Sequence, residues 1–274
     1  MTLIYFILIL GTIVFIHELG HFFWAKKSGV YCYEFSLGFG PKLFSFKRKN
    51  DETLYCLRLI PVGGYVAMAG EEVDDDKSVP KDKKMYNKPF HQKLIIVLAG
   101  VINNFILGFI VLFIMALCYG SYTTKPVIGV VSKDSAGYSA GIKKGDTILA
   151  INGEKTRTWD DVTLKLTIAN NEKAQTFKIK DKNGDIKDVK VKPKKIKGKK
   201  GAVSYSYGIG LSSKKYTGIV NSFKYAVSKF GSTFNSMIVT IKALFTGKVS
   251  INALSGPVGI YSIVGEQSKA GFQG

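Results

Sequence analysis

The sequence predicts an α-helical membrane protein with a glycine-rich β-hairpin region that re-enters the membrane and a separate inserted α+β domain. Three observations carry that prediction. Two apolar runs, Leu3 to Ala25 and Leu94 to Tyr119, are each long enough for one bilayer crossing at about 20 residues per span. Ser28 to Gln92 has too many breaks for a membrane helix but carries apolar patches rich in glycine and aromatics. Pro126 to about Ser212 alternates strand-like runs with turn signals, the pattern of a small soluble domain.

The first run is too long, and too polar near its end, for an ordinary signal peptide. No small-residue cleavage site follows Lys26-Lys27, so it reads as a retained anchor. The two lysines place that end on the cytoplasmic side and the short N-terminus outside. Within it, Phe15-Ile16-His17-Glu18-Leu19-Gly20-His21-Phe22 sets three ionisable side chains in an apolar helix. A charged group near the centre of a membrane helix costs about 2.5 to 3.5 kcal/mol, which makes its presence a functional-site hypothesis. His17 and His21 are four apart and share one helical face, able to hold one metal ion. Neutral histidines bonded to neighbouring helices are the plainer reading. A glutamate also needs a partner, however, and one zinc ion accounts for all three groups. In such a hydrolase the acid at Glu18 is not a ligand; it takes the proton from the attacking water. The site then lies near the cytoplasmic face.

Between the apolar runs, Leu37 to Phe44 and Tyr55 to Met68 read as short strands joined by turns. Non-helical backbone at membrane depth survives only where protein or a watery cavity satisfies its amides, a condition met by a hairpin dipping toward the histidines. Glu71 to Lys84 reads as a solvated loop. Asn103 and Asn104 place amides in the second apolar run, either as interhelical glue or as hydrogen-bond partners of substrate or re-entrant backbone.

In the soluble region, Val127 to Val131 and Thr147 to Ile151 are strand-like, and Gly145-Asp146 and Asn152-Gly153 are turns. Thr158 followed by Asp161 resembles a helix start, with Trp159, Val162, Leu166 and Ala169 at core spacing. After Tyr216, apolar residues recur every three or four positions from Ile219 to Leu244, an amphipathic helix that lies along the membrane interface or packs on the bundle. Ser255-Gly256-Pro257-Val258-Gly259-Ile260 reads as a tight loop.

The formal charge of +19 raises the possibility of nucleic acid, but the lysines are dispersed and no nucleic-acid fold signature accompanies them, so no nucleic-acid partner is expected. The densest run, Ile186 to Lys200, reads as a solvated hairpin edge in preference to a patch for anionic lipid. Cys32, Cys56 and Cys118 fit neither a metal spacing nor a disulfide framework.

Taken together, these residues resemble the site-2 protease family of intramembrane zinc metalloproteases, in particular the bacterial regulator-of-sigma-E type with one PDZ domain. The resemblance rests on His17-Glu18-Leu19-Gly20-His21, Gly38-Phe39-Gly40-Pro41, Pro61-Val62-Gly63-Gly64-Tyr65-Val66, Lys88-Pro89-Phe90, Ala99-Gly100 with Asn104-Phe105, the run from Ser139 to Gly153, and Ser255 to Ile260. It covers essentially the whole chain.

The resemblance implies a zinc endopeptidase that cuts within the transmembrane segment of a membrane protein such as an anti-sigma factor already trimmed by another protease. His17 and His21 would be zinc ligands, Glu18 the catalytic base, and Pro61, Gly63, Gly64, Tyr65 and Asn104 substrate-binding residues. A strand around Leu57 to Val66 would pair with unwound substrate. The implied organisation is a first transmembrane helix at 1–25, a cytoplasmic-side re-entrant β region and loop at 26–92, and a second transmembrane helix at 93–120. An extracytoplasmic PDZ domain follows at 121–213, then the amphipathic helix and the loop at 214–274. The expected location is the cell membrane, multi-pass and in contact with lipid. The PDZ domain would bind a peptide C-terminus or exclude substrates with large ectodomains.

Two departures stand out. Ala99-Gly100 is followed by Val101 where the family has proline. The family's third zinc ligand, an aspartate in a Leu-Asp-Gly motif, has no counterpart in the 274 residues. With two ligands where catalytic zinc normally has three, the expectation is the N-terminal part of a longer protein, with weak metal binding and no proteolysis by itself. The rival reading is a non-catalytic membrane adaptor presenting its PDZ domain, against which the intact Glu18 argues.

Overall fold

In the computed structural model, which describes residues 1–71, 76–169, 171–197, 203–247, 249–250 and 256–270, the first apolar run is one unbroken helix, α1 (Thr2–Lys27). A helix satisfies its own amides, which hydrocarbon cannot do. Lys26 and Lys27 occupy its last turn, where cations meet the carbonyl end. Gly29, at φ +67°, then reverses the chain while the Val30 amide bonds back to the Ala25 carbonyl at 2.9 Å. The second helix, α2 (Phe90–Tyr119), begins before the apolar run because Pro89 organises its entry; Gln92 and Lys93 both donate to the Pro89 carbonyl. Both helices are long and apolar enough to cross a membrane.

The chain divides into two compact units, Met1–Gly108 with Ser255–Gly274, and Phe109–Leu254, the division falling inside α2.

The first unit holds strands β1 (Cys32–Lys47) and β2 (Leu54–Met68). Each strand bends on itself, so their pairing yields four segments side by side. Residues 34–37 lie against 64–67 on one side and 54–57 on the other, and 54–57 lies in turn against 44–47. This refines the expected substrate strand, because Leu57 is interior, paired with both Leu37 and Phe44, whereas 64–67 is an edge. Gly38, at φ +88°, makes one bend; a side chain there would meet the Ile60 carbonyl at 2.6 Å. The sheet packs on α1 and α2 through a buried cluster of Ala25, Val30, Cys32, Phe35, Val66, Met68 and Ile96. Lys26 ties the end of α1 to the sheet's turn through Asp51 at 2.8 Å and Glu52 at 2.6 Å.

A polar network holds the edge segment in place. Glu34 accepts from the Tyr65 hydroxyl at 2.7 Å and from the Arg58 guanidinium at 2.6 Å, with the Lys42 ammonium at 3.1 Å. Burial pushes the Glu34 carboxyl up, but the hydrogen bonds from Tyr65, Arg58 and Lys42 outweigh it and hold its pKa down to about 2, from an ordinary 4.5. A pKa lowered on folding stabilises the fold fully above the unfolded value and loses that contribution as pH falls through the folded one. Amide exchange at Tyr65 and Val66 is therefore expected to accelerate on acidification between about pH 4.5 and pH 2, and Glu34→Gln abolishes that dependence.

The Ser255 to Ile260 motif is not a loop throughout. Residues from Pro257 onward form helix α6 (Pro257–Ala270), because proline's fixed φ and missing N–H suit the first helical turn; Ser255 lies outside the described residues. Helix α6 packs along the start of α1, with Tyr261 edge-on to Phe6 at 5.6 Å.

The second unit begins with the last part of α2 and strand β3 (Ser121–Tyr122), followed by β4 (Ile128–Val131), the short helix α3 (Ala136–Ser139), β5 (Thr147–Ile151) and β6 (Glu154–Lys155). Next come α4 (Trp159–Ile168), β7 (Gln175–Lys180), β8 (Ile186–Val191), β9 (Lys194–Lys197), β10 (Val203–Ser206), β11 (Ile209–Leu211) and β12 (Lys215–Tyr216). The antiparallel sheet order is β6-β5-β7-β8, and β4 pairs with β11. Its core is Ile128, Ile142, Ile148, Ile151, Val162, Phe177, Ile179, Val191 and Tyr207. Asn152 and Gly153, both at positive φ, form the β5–β6 turn. Thr158 and Asp161 form a reciprocal capping box on α4. Lys187 and Lys190 are exposed on the edge strand β8.

Helix α5 (Ile219–Phe245) closes this unit. Its polar side docks on α4 through Lys229–Asp160 at 2.7 Å and Asn235–Asp161 at 3.0 Å, and Phe223 meets Phe109 and Phe113 of α2 edge-on. Phe234, Met237, Ile241 and Phe245 remain exposed.

Candidate active site

Helical spacing brings His17 and His21 together as expected, with 3.1 Å between their Nε2 atoms. Two nitrogens of a tetrahedral zinc site, each about 2.0 to 2.1 Å from the ion, stand about 3.3 Å apart, so this pair fits a shared zinc ion. The outer nitrogens are held from α2. His21 Nδ1 lies 2.7 Å from the Ile96 carbonyl, which can only accept, so His21 carries its proton on Nδ1 and presents a free Nε2 lone pair. His17 Nδ1 lies 3.3 Å from the Asn104 amide nitrogen. Among the described residues no third His, Cys, Asp or Glu joins them in a metal-binding group.

The two helices approach closely enough for this because both are bare at the crossing. A side chain at Gly20 would stand 2.5 Å from the Ala99 carbonyl oxygen, and one at Gly100 would stand 2.5 Å from His21 Nε2 and 2.7 Å from His17 Nε2. Asn103 reinforces the crossing by donating to the Ile16 carbonyl at 3.2 Å. Both asparagines bond across to α1, as the interhelical reading has it. Asn103 bonds helix backbone, while Asn104 bonds a histidine of the site.

Glu18 and His21 open onto a cavity of about 340 Å³ whose other wall is the sheet edge, with Tyr65, Val66 and Met68; Met85, Ile96 and Val97 complete the apolar part. The Val66 backbone is within hydrogen-bonding reach of the Glu18 carboxyl group. Gly64 keeps the edge close, since a side chain there would meet the Ser36 carbonyl oxygen at 2.7 Å and Glu18 Cγ at 3.5 Å. Of the other expected substrate residues, Gly63 lies beneath the Phe39 ring, which itself stacks with Tyr65, and Pro61 is exposed near Gly11 of α1 outside this cavity. Ile96 was not singled out from the sequence, and Gly100 entered only through the Ala99-Gly100 motif of the family resemblance. The i, i+4 spacing of Ile96 and Gly100 on α2 matches that of His17 and His21 on α1, the signal that pairs the two faces.

Comparison with known proteins identifies the family. The sequence profile of Peptidase family M50 matches residues 5–274. The chain is 28% identical over 348 residues to the regulator of sigma-W protease RasP of Bacillus subtilis, covering 99% of this chain and 81% of that protein. It is 30% identical over 348 residues to the zinc metalloprotease RasP of Bacillus licheniformis, covering 98% of this chain and 81% of the relative. A Clostridium acetobutylicum relative with a zinc-metalloprotease name is 37% identical over 270 residues, 97% of this chain and 75% of its own length. The matched profile spans nearly the whole chain and the relatives carry zinc-metalloprotease names, so the chain belongs to peptidase family M50, the site-2 protease family of zinc-dependent metalloproteases.

Proposed function

We propose that the protein performs intramembrane proteolysis, with His17 and His21 as two of its zinc ligands and Glu18 as general base. The observation that carries this reading is the shared cavity of Glu18, His21 and the edge segment at Tyr65 and Val66. Zinc, when bound, supplies Lewis-acid polarisation of the scissile carbonyl and lowers the pKa of water. Glu18 takes a proton from that water and returns it to the leaving amine, a role its position one residue after His17 allows without occupying a coordination position. His21 is held in one tautomer by Ile96, and Met68, Met85 and Val97 give the cavity apolar walls, with Glu71 also in its lining.

A helical peptide bond is hidden by its own hydrogen bonds, so substrate must unwind before it is cut. The unpaired side of 64–67 offers main-chain partners for the freed amides, beside the base. In this reading β1 and β2 form a re-entrant sheet, α1 and α2 cross the membrane in opposite senses, and the site faces the cytoplasmic side. Residues 121–213 are an extracytoplasmic PDZ domain that binds a peptide C-terminus or filters substrates by size. By likeness to RasP, named as a regulator of sigma-W, the substrate class is a membrane protein of the anti-sigma-factor kind, trimmed beforehand.

The test is reconstitution of the full-length protein in lipid vesicles with a single-span substrate lacking its ectodomain, followed by mass spectrometry of the fragments. A cut inside the transmembrane segment is expected, and cuts confined to flanking soluble sequence overturn the reading. Gly64→Val lifts the edge segment away from Ser36 and Glu18 and is expected to slow cleavage by about 100-fold with zinc content unchanged, since small displacements of a positioned substrate have effects of that order. Wild-type rates in that variant remove the strand from the mechanism.

A further inference from the structure

Asn104 carries an unexplained atom. Its Oδ1 is buried with no hydrogen-bond partner among the described residues, while its Nδ2 lies 3.3 Å from His17 Nδ1. A buried polar atom left unpaired costs about 1 to 3 kcal/mol, and native sites rarely carry one without a reason. The two ends of a primary amide have nearly the same shape, so a half-turn about its terminal bond exchanges donor for acceptor at little steric cost.

The two orientations have opposite consequences for His17. With Nδ2 toward the ring, Nδ1 must accept, and a neutral imidazole then carries its proton on Nε2. That proton points at His21 Nε2, 3.1 Å away, and occupies the lone pair a metal needs. With Oδ1 toward the ring, the orphaned oxygen accepts from Nδ1–H, the His17 Nε2 lone pair is free, and it faces the free lone pair of His21. The second arrangement pairs the oxygen and frees both ligating lone pairs at once, while the amide nitrogen moves to the buried position the oxygen held. It also makes the two histidines equivalent, each donating from Nδ1 to an oxygen on α2, His21 to the Ile96 carbonyl and His17 to the Asn104 side chain.

We infer that Asn104 is a positioning residue of the metal site, accepting the His17 Nδ1 proton through Oδ1 and thereby fixing the tautomer and ring orientation in which His17 binds zinc. This assigns it to the metal centre in place of the expected contact with substrate. The inference rests on the proposed reading of His17 and His21 as zinc ligands, and the experiment separates the two.

Zinc affinity is measured by competition with a chromogenic chelator on the purified full-length protein in detergent, for wild type, His17→Ala, Asn104→Leu and Asn104→Asp. Loss of an oxygen partner behind a ligating histidine weakens metal binding by about 10- to 100-fold, the effect expected for Asn104→Leu. Asn104→Asp keeps an acceptor and discards the donor, so its affinity is expected within a few-fold of wild type. A donor role for Asn104 predicts instead that the aspartate variant fails as badly as leucine, and that outcome overturns the inference. So does wild-type affinity in Asn104→Leu when His17→Ala has lost zinc. If His17→Ala retains wild-type affinity, the ligand assignment itself falls. Nitrogen-15 NMR of labelled histidine gives a readout independent of affinity, with His17 protonated at Nδ1 in wild type and in Asn104→Asp and at Nε2 in a fraction of Asn104→Leu; an Nε2-protonated His17 in zinc-loaded wild type overturns the inference.

Discussion

Replacing Glu18 by glutamine is expected to reduce cleavage of a membrane-embedded substrate by about 100- to 10,000-fold, the range a positioned general base supplies, while zinc affinity stays within a few-fold of wild type. The separation of the two effects follows from position. Glu18 is adjacent in sequence to His17 but turned about 100° from it around the helix, toward the cavity that Tyr65 and Val66 line. Glutamine preserves length and planarity but has no lone pair basic enough to take the proton of water. Turnover measured in vesicles beside zinc content on the same preparation checks both halves. Substantial residual turnover removes Glu18 from the role of base, and loss of zinc together with activity makes it a ligand instead.

Gly100→Ala is the second large effect expected, and propensity and packing pull in opposite directions there. Alanine is a better helix residue than glycine by about 0.5 to 1 kcal/mol, so α2 itself gains. The added carbon, however, would sit 2.5 Å from His21 Nε2 and 2.7 Å from His17 Nε2, in the space where the two imidazole nitrogens converge. Neither ring can move aside cheaply, since His21 is bonded to Ile96 and His17 is bonded to Asn104. Zinc affinity is expected to fall by more than about 100-fold, beyond the loss of a mere supporting partner, with helical content unchanged. Gly108→Ala, also in α2, is the control, because nothing lies within 4 Å of a side chain there. Equal zinc affinity in both variants overturns the geometry of the site.

Much of the site was legible because its chemistry is local. His17 and His21 share a face through a helix repeat that one turn of sequence specifies, and the cost of placing Glu18 in an apolar run marks it as functional wherever the chain goes next. The two apolar helices were legible for the same reason, as was the capped start of α4, where Thr158 and Asp161 cap each other within one turn. Boundaries shifted where proline acted as a starter and not as a breaker. Pro89 advances α2 to Phe90, and Pro257 converts part of an expected loop into α6.

The rest depended on residues far apart in sequence. The alternation of β1 and β2 announces strands but not their order, so the segment exposed to substrate could not be separated from the interior one; the bends at glycines decide that 64–67 is the edge and 54–57 is enclosed. Asn103 and Asn104 look alike in sequence, and only the approach of α2 to α1 gives one a helix carbonyl and the other a histidine. By itself the sequence determined a long apolar helix that sets two histidines on one face beside a glutamate, because helix periodicity and desolvation cost act within a single turn. Which oxygens orient that pair, which glycines leave room for it, and which strand edge faces it were decided only in the tertiary structure, where contacts between residues far apart in sequence set the geometry that the local chemistry requires.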